Sequence, residues 1–115
     1  MKENHLSNKK KEIAEQRMQL TPHIHEAFQT FSKYVFADGA IPAKTKQLIA
    51  VAVAHVTQCS YCIRGHTKLA LKHGATQDEV MEAIWVAAEM RAGAAYAHSP
   101  LAIEVMNSSW SNKSV

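Results

Sequence analysis

The sequence lacks several features that define other classes of protein. No apolar run reaches the ~18 uninterrupted residues that a membrane-spanning helix needs, and the longest candidate, residues 48–56, is interrupted by His55. There is no internal repeat and no low-complexity linker. The only two cysteines lie three residues apart, so a bridge between them would close too small a loop to stabilise the fold much. With 47% hydrophobic and 20% charged residues, the chain is predicted to be one globular domain over residues 1–115.

The positive charge is concentrated near the start of the chain. The net charge is +3, and four of the cations lie in the first 11 residues, at Lys2, Lys9, Lys10 and Lys11. We interpret this run as a solvated helix start and expect no nucleic-acid partner. Residues 1–12 contain no apolar segment typical of a secretory signal peptide. We therefore expect a cytoplasmic protein that has no membrane partner.

Signals for β-strands are also absent. No segment shows the apolar–polar alternation of a half-buried strand, and no Asn-Gly or Asp-Gly hairpin turn joins two such segments. The pattern predicts an all-α fold of five or six helices, beginning with an amphipathic helix within residues 1–20 and a second helix over 22–37. Residues 48–54 are apolar on every side, and their alanines and helical neighbours favour a helix that is covered all round, by its own domain or by another subunit.

Glycines and a capping sequence divide the second half of the chain. Gly39 suits a left-handed cap after the second helix, and Gly74 suits one after the helix that follows the cysteines. The sequence of residues 76–79, Thr-Gln-Asp-Glu, is that of a capping box. It predicts a long helix over residues 77–98, which a short last helix follows. The polar residues 107–115 are expected to form a frayed tail.

The reactive side chains are concentrated in residues 59–66, Cys-Ser-Tyr-Cys-Ile-Arg-Gly-His. On a helix, Cys59, Cys62 and His66 would share one face. A nearby base can draw a thiol toward thiolate, as can a helix start, and a second thiol can trap an oxidised sulfur. The spacing predicts a dithiol redox site with His66 as its base. The alternative is that the cysteines are two small buried hydrophobic residues and His66 an ordinary surface histidine.

A metal site is a further interpretation, because His55 lies four residues before Cys59. On one straight helix, the stretch from His55 to His66 would span roughly 16 Å. Zinc ligands must all lie within ~2.3 Å of the ion. A break near Gln58 would relieve this conflict only in part, so the sequence does not favour a metal site.

Residues 42–98 resemble the carboxymuconolactone decarboxylase family, and within it the alkylhydroperoxidase D-like branch. The resemblance covers roughly half of the chain. It is carried by the apolar helix before the cysteines, by the Cys-x-x-Cys-x3-His motif and by the turn at residues 74–76. It implies an all-α fold, association into a trimer or hexamer, and a peroxidase activity run by two cysteines. Cys62 would attack the peroxide and become a sulfenic acid, and Cys59 would condense with it to a disulfide.

The resemblance also implies the other participants. His66 would belong to the proton relay, a small hydroperoxide would be the substrate and an external dithiol the reductant, with no metal or organic cofactor. The family's relay usually includes a glutamate twelve residues before the first cysteine, where this chain has Gln47. Glutamine cannot accept a proton at neutral pH. Either another carboxylate, such as Glu89, completes the relay, or His66 works without one, or the activity is weak.

The sequence therefore predicts a thiol-dependent peroxidase that cycles between dithiol and disulfide. Catalysis is assigned to Cys62, Cys59 and His66. The candidates for relay or positioning roles are Gln47, Tyr61, His55 and Glu89, and Tyr61 either packs its ring or hydrogen-bonds a peroxide or thiolate. Two alternatives remain: lactone decarboxylation as in the family's namesake, which does not rely on a cysteine pair, and a non-enzymatic assembly module whose thiols sense redox state.

Overall fold

The computed structural model describes residues 2–108, and all regular structure in that range is helical. The predicted all-α fold is confirmed. The tail predicted for residues 107–115 lies, from residue 109 on, outside the described residues. The chain divides into two units, one ending at Ala37 and the other beginning at Asp38. The six helices of the described residues are α1 (Lys2–Leu20), α2 (Pro22–Phe36), α3 (Ala43–Thr57), α4 (Ser60–Lys72), α5 (Gln77–Ala97) and α6 (Ser99–Asn107).

The first unit consists of α1 and α2. α2 begins at Pro22, whose fixed φ and missing N–H suit the first turn of a helix. The helix ends at Phe36, after which Ala37 is extended. The prediction of a left-handed cap at Gly39 is wrong. The chain leaves α2 through extended backbone at Ala37. Among the glycines of the described residues, Gly74 and not Gly39 has a positive φ. Within residues 2–108, no helix is long and apolar enough to cross a membrane.

α3 is the central helix of the second unit, where it packs against both α4 and α5. Its buried residues recur every three or four positions and so share one face of the helix; they are Ala43, Gln47, Val51 and Ala54. Val51 and Ala70 have no exposed surface, and they form the core with Ala75 and Val80. The apolar run is therefore helical, as predicted. The chain alone does not cover it all round, since Ile49 and Val53 are 47% and 52% exposed.

The turn between α4 and α5 follows the predicted chemistry. Gly74 has a φ of +93°, the left-handed conformation that glycine adopts at little cost. The Thr76 hydroxyl accepts a hydrogen bond from the Glu79 N–H at 3.1 Å, and the Thr76 N–H donates to Glu79 Oε1 at 2.8 Å. This reciprocal pair confirms the capping box. Lys44 of α3 lies 3.0 Å from Glu79 Oε2, so the cap also joins α3 to the start of α5.

The capping box is expected to make stability depend on pH. The hydrogen bond from the Thr76 backbone, and then that from Lys44, hold the pKa of Glu79 below its ordinary value of 4.5. The carboxylate's contribution is therefore complete above that value and is lost as the pH falls through the folded-state pKa. Glu79→Gln should lower the melting temperature at pH 7, and its difference from the parent should shrink below pH 4.5. Thermal melts followed by circular dichroism measure this.

Glu82→Gln is the matched control, because Glu82 is an exposed residue of the same helix. It should melt like the parent at both pH values. A Glu79→Gln difference that is the same at neutral and acidic pH would contradict the assignment.

Candidate functional site

The two cysteines lie at the junction of α3 and α4. α3 ends at Thr57, and Gln58 follows in the left-handed conformation with φ 58° and ψ 45°. The Cys59 N–H donates to the carbonyl of Ala54 at 3.1 Å, which closes the end of α3. α4 begins at Ser60, with Cys59 in the N-cap position. One left-handed residue thus turns the chain sharply enough to start a new helix at the cysteine motif.

Cys59 and Cys62 are joined as a disulfide. Their Cα atoms are 5.2 Å apart, inside the range of about 4.4–6.8 Å that disulfides require. The Cys62 N–H points at Cys59 Sγ at 3.3 Å, so this sulfur takes the place of a capping side-chain oxygen. Both cysteines are partly buried. The junction therefore holds the two sulfurs in bonding position with the backbone as it stands.

The position of Cys62 in the first turn of α4 favours its thiolate once the pair is reduced. The first N–H groups of a helix have no partner within the helix and carry partial positive charge. A thiolate placed there is stabilised relative to the thiol. Cys59 caps the helix instead of lying within it, so the sequence prediction of one helical face is confirmed for Cys62 and His66 only.

His66 lies one turn beyond Cys62 and is hydrogen-bonded to α3. Its Nδ1 is 2.7 Å from Oε1 of Gln47, a residue 19 positions earlier in the chain. Gln47 is 3% exposed, and no other polar side chain in the described part of the chain is buried. The structure thus brings together two of the predicted site residues on neighbouring helices.

The other three candidates occupy different positions. Glu89 is exposed on α5, and within the described residues no hydrogen bond or ion pair links its carboxylate to His66. Tyr61 is 88% exposed, and its ring is not packed. His55 is partly buried at the end of α3, and its Nδ1 is 2.7 Å from the carbonyl oxygen of Val51. Across residues 2–108, no group of three or more His, Cys, Asp or Glu side chains converges as a metal ion would require.

Two features of the junction were not predicted from the sequence. Gln58 is left-handed although glutamine carries no signal for positive φ. Arg91 of α5 donates from Nη1 to the carbonyl oxygen of Val56 at 3.4 Å, which places a cation at the negative end of the α3 dipole. The sequence offers no local pattern for this contact, because Arg91 and Val56 lie 35 residues apart.

Residues 22–104 match the sequence profile of a known family, the carboxymuconolactone decarboxylase family. The chain belongs to this family. It is 66% identical over 84 residues to a Paracoccus denitrificans protein described as uncharacterized protein 4 in cox locus, covering 73% of this chain and 76% of the relative. A solved carboxymuconolactone decarboxylase family protein from Legionella pneumophila, in its apo form, superposes with a TM-score of 0.67 at 30% identity, over 76% of this chain and 78% of that one.

The alkylhydroperoxidase D-like branch is also represented among the relatives. The chain is 38% identical over 56 residues to the alkyl hydroperoxide reductase AhpD of Anaeromyxobacter sp. strain K. That match covers 46% of this chain and 30% of AhpD. The family resemblance predicted from the cysteine motif is confirmed.

Oxidation is expected to join the two cysteines within one chain, because their backbone positions already permit the bond. After reduction and then treatment with hydrogen peroxide, the peptide that contains Cys59 and Cys62 should lose two hydrogens and resist alkylation. Mass spectrometry of a digest kept under non-reducing conditions measures both changes. The idea fails if the bridge instead joins two different chains.

Proposed function

We propose that this chain is a thiol-dependent peroxidase that reduces small hydroperoxides through its Cys59–Cys62 pair. The observation that carries the proposal is the disulfide at the start of α4, one turn before the hydrogen-bonded His66. The similarity to an alkyl hydroperoxide reductase supports the same chemistry. Lactone decarboxylation, the activity for which the family is named, is not favoured by the site, because it would give the cysteine pair no role.

In the proposed cycle, Cys62 is the residue that attacks the peroxide. His66 takes the thiol proton as general base, and the thiolate attacks one peroxide oxygen. The O–O bond breaks, the sulfur becomes a sulfenic acid, and the leaving alkoxide takes a proton to become an alcohol. The start of α4 assists because it favours the thiolate.

Cys59 is the resolving residue of the proposal. Its thiolate attacks the sulfenic sulfur, so that the disulfide forms and hydroxide leaves as water after protonation. An external dithiol then reduces the bridge by two exchange steps. The sum is one hydroperoxide and one dithiol converted to an alcohol, water and an oxidised dithiol, with no metal or organic cofactor. A cytoplasmic location suits this cycle, because that compartment keeps thiols reduced.

The cycle predicts different defects for the two cysteines. Cys62→Ser should reduce peroxide consumption to background, because it removes the attacking thiolate. Cys59→Ser should still oxidise once, to a sulfenic acid on Cys62 that reacts with dimedone, but should lose disulfide-dependent turnover. His66→Ala should slow the reaction by roughly 10²–10⁴-fold, the usual contribution of a general base. Peroxide consumption with dithiothreitol as reductant measures the three rates, and mass spectrometry detects the dimedone adduct.

His73→Gln is the matched control for His66, because His73 is an exposed histidine at the other end of α4. It should retain the parent rate. Unchanged turnover in Cys62→Ser would refute the mechanism. A parent protein that oxidises once but never turns over with a supplied dithiol would be a redox sensor instead.

We further propose that the chain assembles as a trimer or hexamer of identical subunits. Several large apolar side chains of the second unit are exposed on α3 and α5; they are Ile49, Val53, Trp85, Val86 and Met90. Monomers rarely expose so much apolar surface on neighbouring helices. A second copy of the chain is the partner that the proposal assigns to this surface.

Charges on this surface should weaken the assembly. The double variant Val53→Lys, Trp85→Lys should shift the solution mass from a multiple of 12.7 kDa toward that of one chain, because each lysine would have to lose its hydration at the interface. Mass photometry or sedimentation measures the shift. Lys68→Glu on the exposed face of α4 is the control and should leave the mass unchanged. A parent protein with the mass of a single chain would refute the assembly.

A further inference from the structure

The contact between His66 and Gln47 determines which imidazole nitrogen carries the proton. Nδ1 of His66 lies 2.7 Å from Oε1 of Gln47. An amide oxygen accepts hydrogen bonds and cannot donate them. A hydrogen bond in this arrangement therefore requires the proton on Nδ1, and the neutral ring then has its lone pair on Nε2.

The surroundings of Gln47 favour a single arrangement of this pair. Gln47 is 3% exposed and shares the buried face of α3 with Ala43, Val51 and Ala54. Water has little access to compete for the amide oxygen, and a buried polar group without a partner is costly. In the described part of the chain, no buried side-chain nitrogen or oxygen lacks a hydrogen-bond partner. The hydrogen bond to His66 is the one that satisfies the Gln47 oxygen.

We infer that Gln47 is a positioning residue that fixes His66 as the Nδ1–H tautomer and so presents Nε2 as the base for the thiol chemistry. The role of Nε2 as a base rests on the proposed function. The tautomer rests only on the contact between His66 and Gln47. Gln47 acts through His66 and takes no part in proton transfer itself, because an amide cannot accept a proton at neutral pH.

An amide at position 47 can orient the ring without adding charge, whereas a carboxylate would do both. A glutamate would orient the ring and would also place a negative charge beside it. Gln47 keeps the orientation and brings no charge into the buried face of α3. The exposed Glu89 is not a substitute, since within residues 2–108 no hydrogen bond or ion pair joins its carboxylate to the ring. His66 therefore has an uncharged amide, and not a carboxylate, as its support.

Nuclear magnetic resonance of protein labelled with ¹⁵N at histidine tests the tautomer directly. At a pH where the imidazoles are neutral, long-range ¹H–¹⁵N correlations distinguish a protonated from an unprotonated ring nitrogen. His66 should be protonated at Nδ1. His98 is an internal reference, because its Nδ1 lies 2.7 Å from the backbone carbonyl of Ala94 and must also carry the proton.

Variants at position 47 show whether the amide oxygen is the cause. Gln47→Met has a similar shape but no acceptor oxygen, so the share of the Nδ1–H tautomer of His66 should fall while His98 stays unchanged. Gln47→Glu restores an acceptor oxygen and should restore the Nδ1–H form. Circular dichroism verifies that each variant is folded, and the measurement on the parent protein decides the tautomer even if a variant does not fold.

A kinetic measurement tests the consequence for the thiols. With the pair reduced at neutral pH, Gln47→Met should slow peroxide consumption by roughly ten- to a hundredfold, part of what a general base contributes. Gln47→Glu should recover the rate. Gln77→Met, at an exposed glutamine at the start of α5, is the matched control and should keep the parent rate.

The outcomes separate this inference from the proposed function. His66 protonated at Nε2 in the parent protein would overturn the inference, because Gln47 would then be donating through its amide nitrogen. A tautomer that is the same in the parent and in Gln47→Met would overturn it as well. A tautomer that follows position 47, in a protein that consumes no peroxide, would support the positioning by Gln47 and refute the peroxidase.

Discussion

The burial of one face of α3 is the constraint on which the second unit depends. Val51 lies at its centre with no exposed surface, and Gln47 is one turn earlier on the same face. Burying a valine side chain contributes about 1.5–3 kcal/mol, whereas one hydrogen bond contributes a net ~0.5–1.5 kcal/mol. Packing therefore outweighs the bond from Gln47 to His66. The core positions α3 against α4, and the hydrogen bond follows from that placement.

The junction between α3 and α4 shows how the chain accommodates a thiol pair between two packed helices. A left-handed conformation costs a residue with a side chain roughly 1–2 kcal/mol, and Gln58 adopts it without the freedom of glycine. The cost is offset locally, because the Cys59 N–H reaches Ala54 and the Cys59 sulfur accepts from the Cys62 N–H. The backbone conformation that ends α3 thus places Cys59 at the cap of α4.

The parts of the fold that could be predicted from the sequence are those with local causes. The left-handed Gly74 and the capping box at residues 76–79 follow from side chains within a few residues of each other, and both are confirmed. Gly39 gave the same indication of a left-handed cap as Gly74, yet the chain leaves α2 through extended backbone. A glycine permits a left-handed cap but does not require one. The left-handed Gln58 had no signal at all.

The candidate site was predictable in its residues but not in its contacts. The spacing of the cysteine motif identified Cys59, Cys62 and His66, since those residues lie within two helical turns. The family resemblance identified Gln47 as a departure from the usual glutamate. The hydrogen bond between Gln47 and His66 spans 19 residues, and it depends on how two helices pack. Periodicity within one helix cannot show how two helices pack. For the same reason the sequence left Glu89 open as the carboxylate of the relay, and in the described part of the structure no hydrogen bond or ion pair joins it to the ring of His66.

A neutral support for the base has a consequence for the charges in the proposed cycle. When Cys62 gives its proton to His66, an imidazolium and a thiolate form one turn apart on α4, and each is the nearest opposite charge that the chemistry creates. A buried glutamate would stabilise the imidazolium whether or not the thiolate were present. Gln47 brings no such charge, so in the proposed cycle the residue at position 47 orients the ring and the Cys62 thiolate supplies an opposite charge.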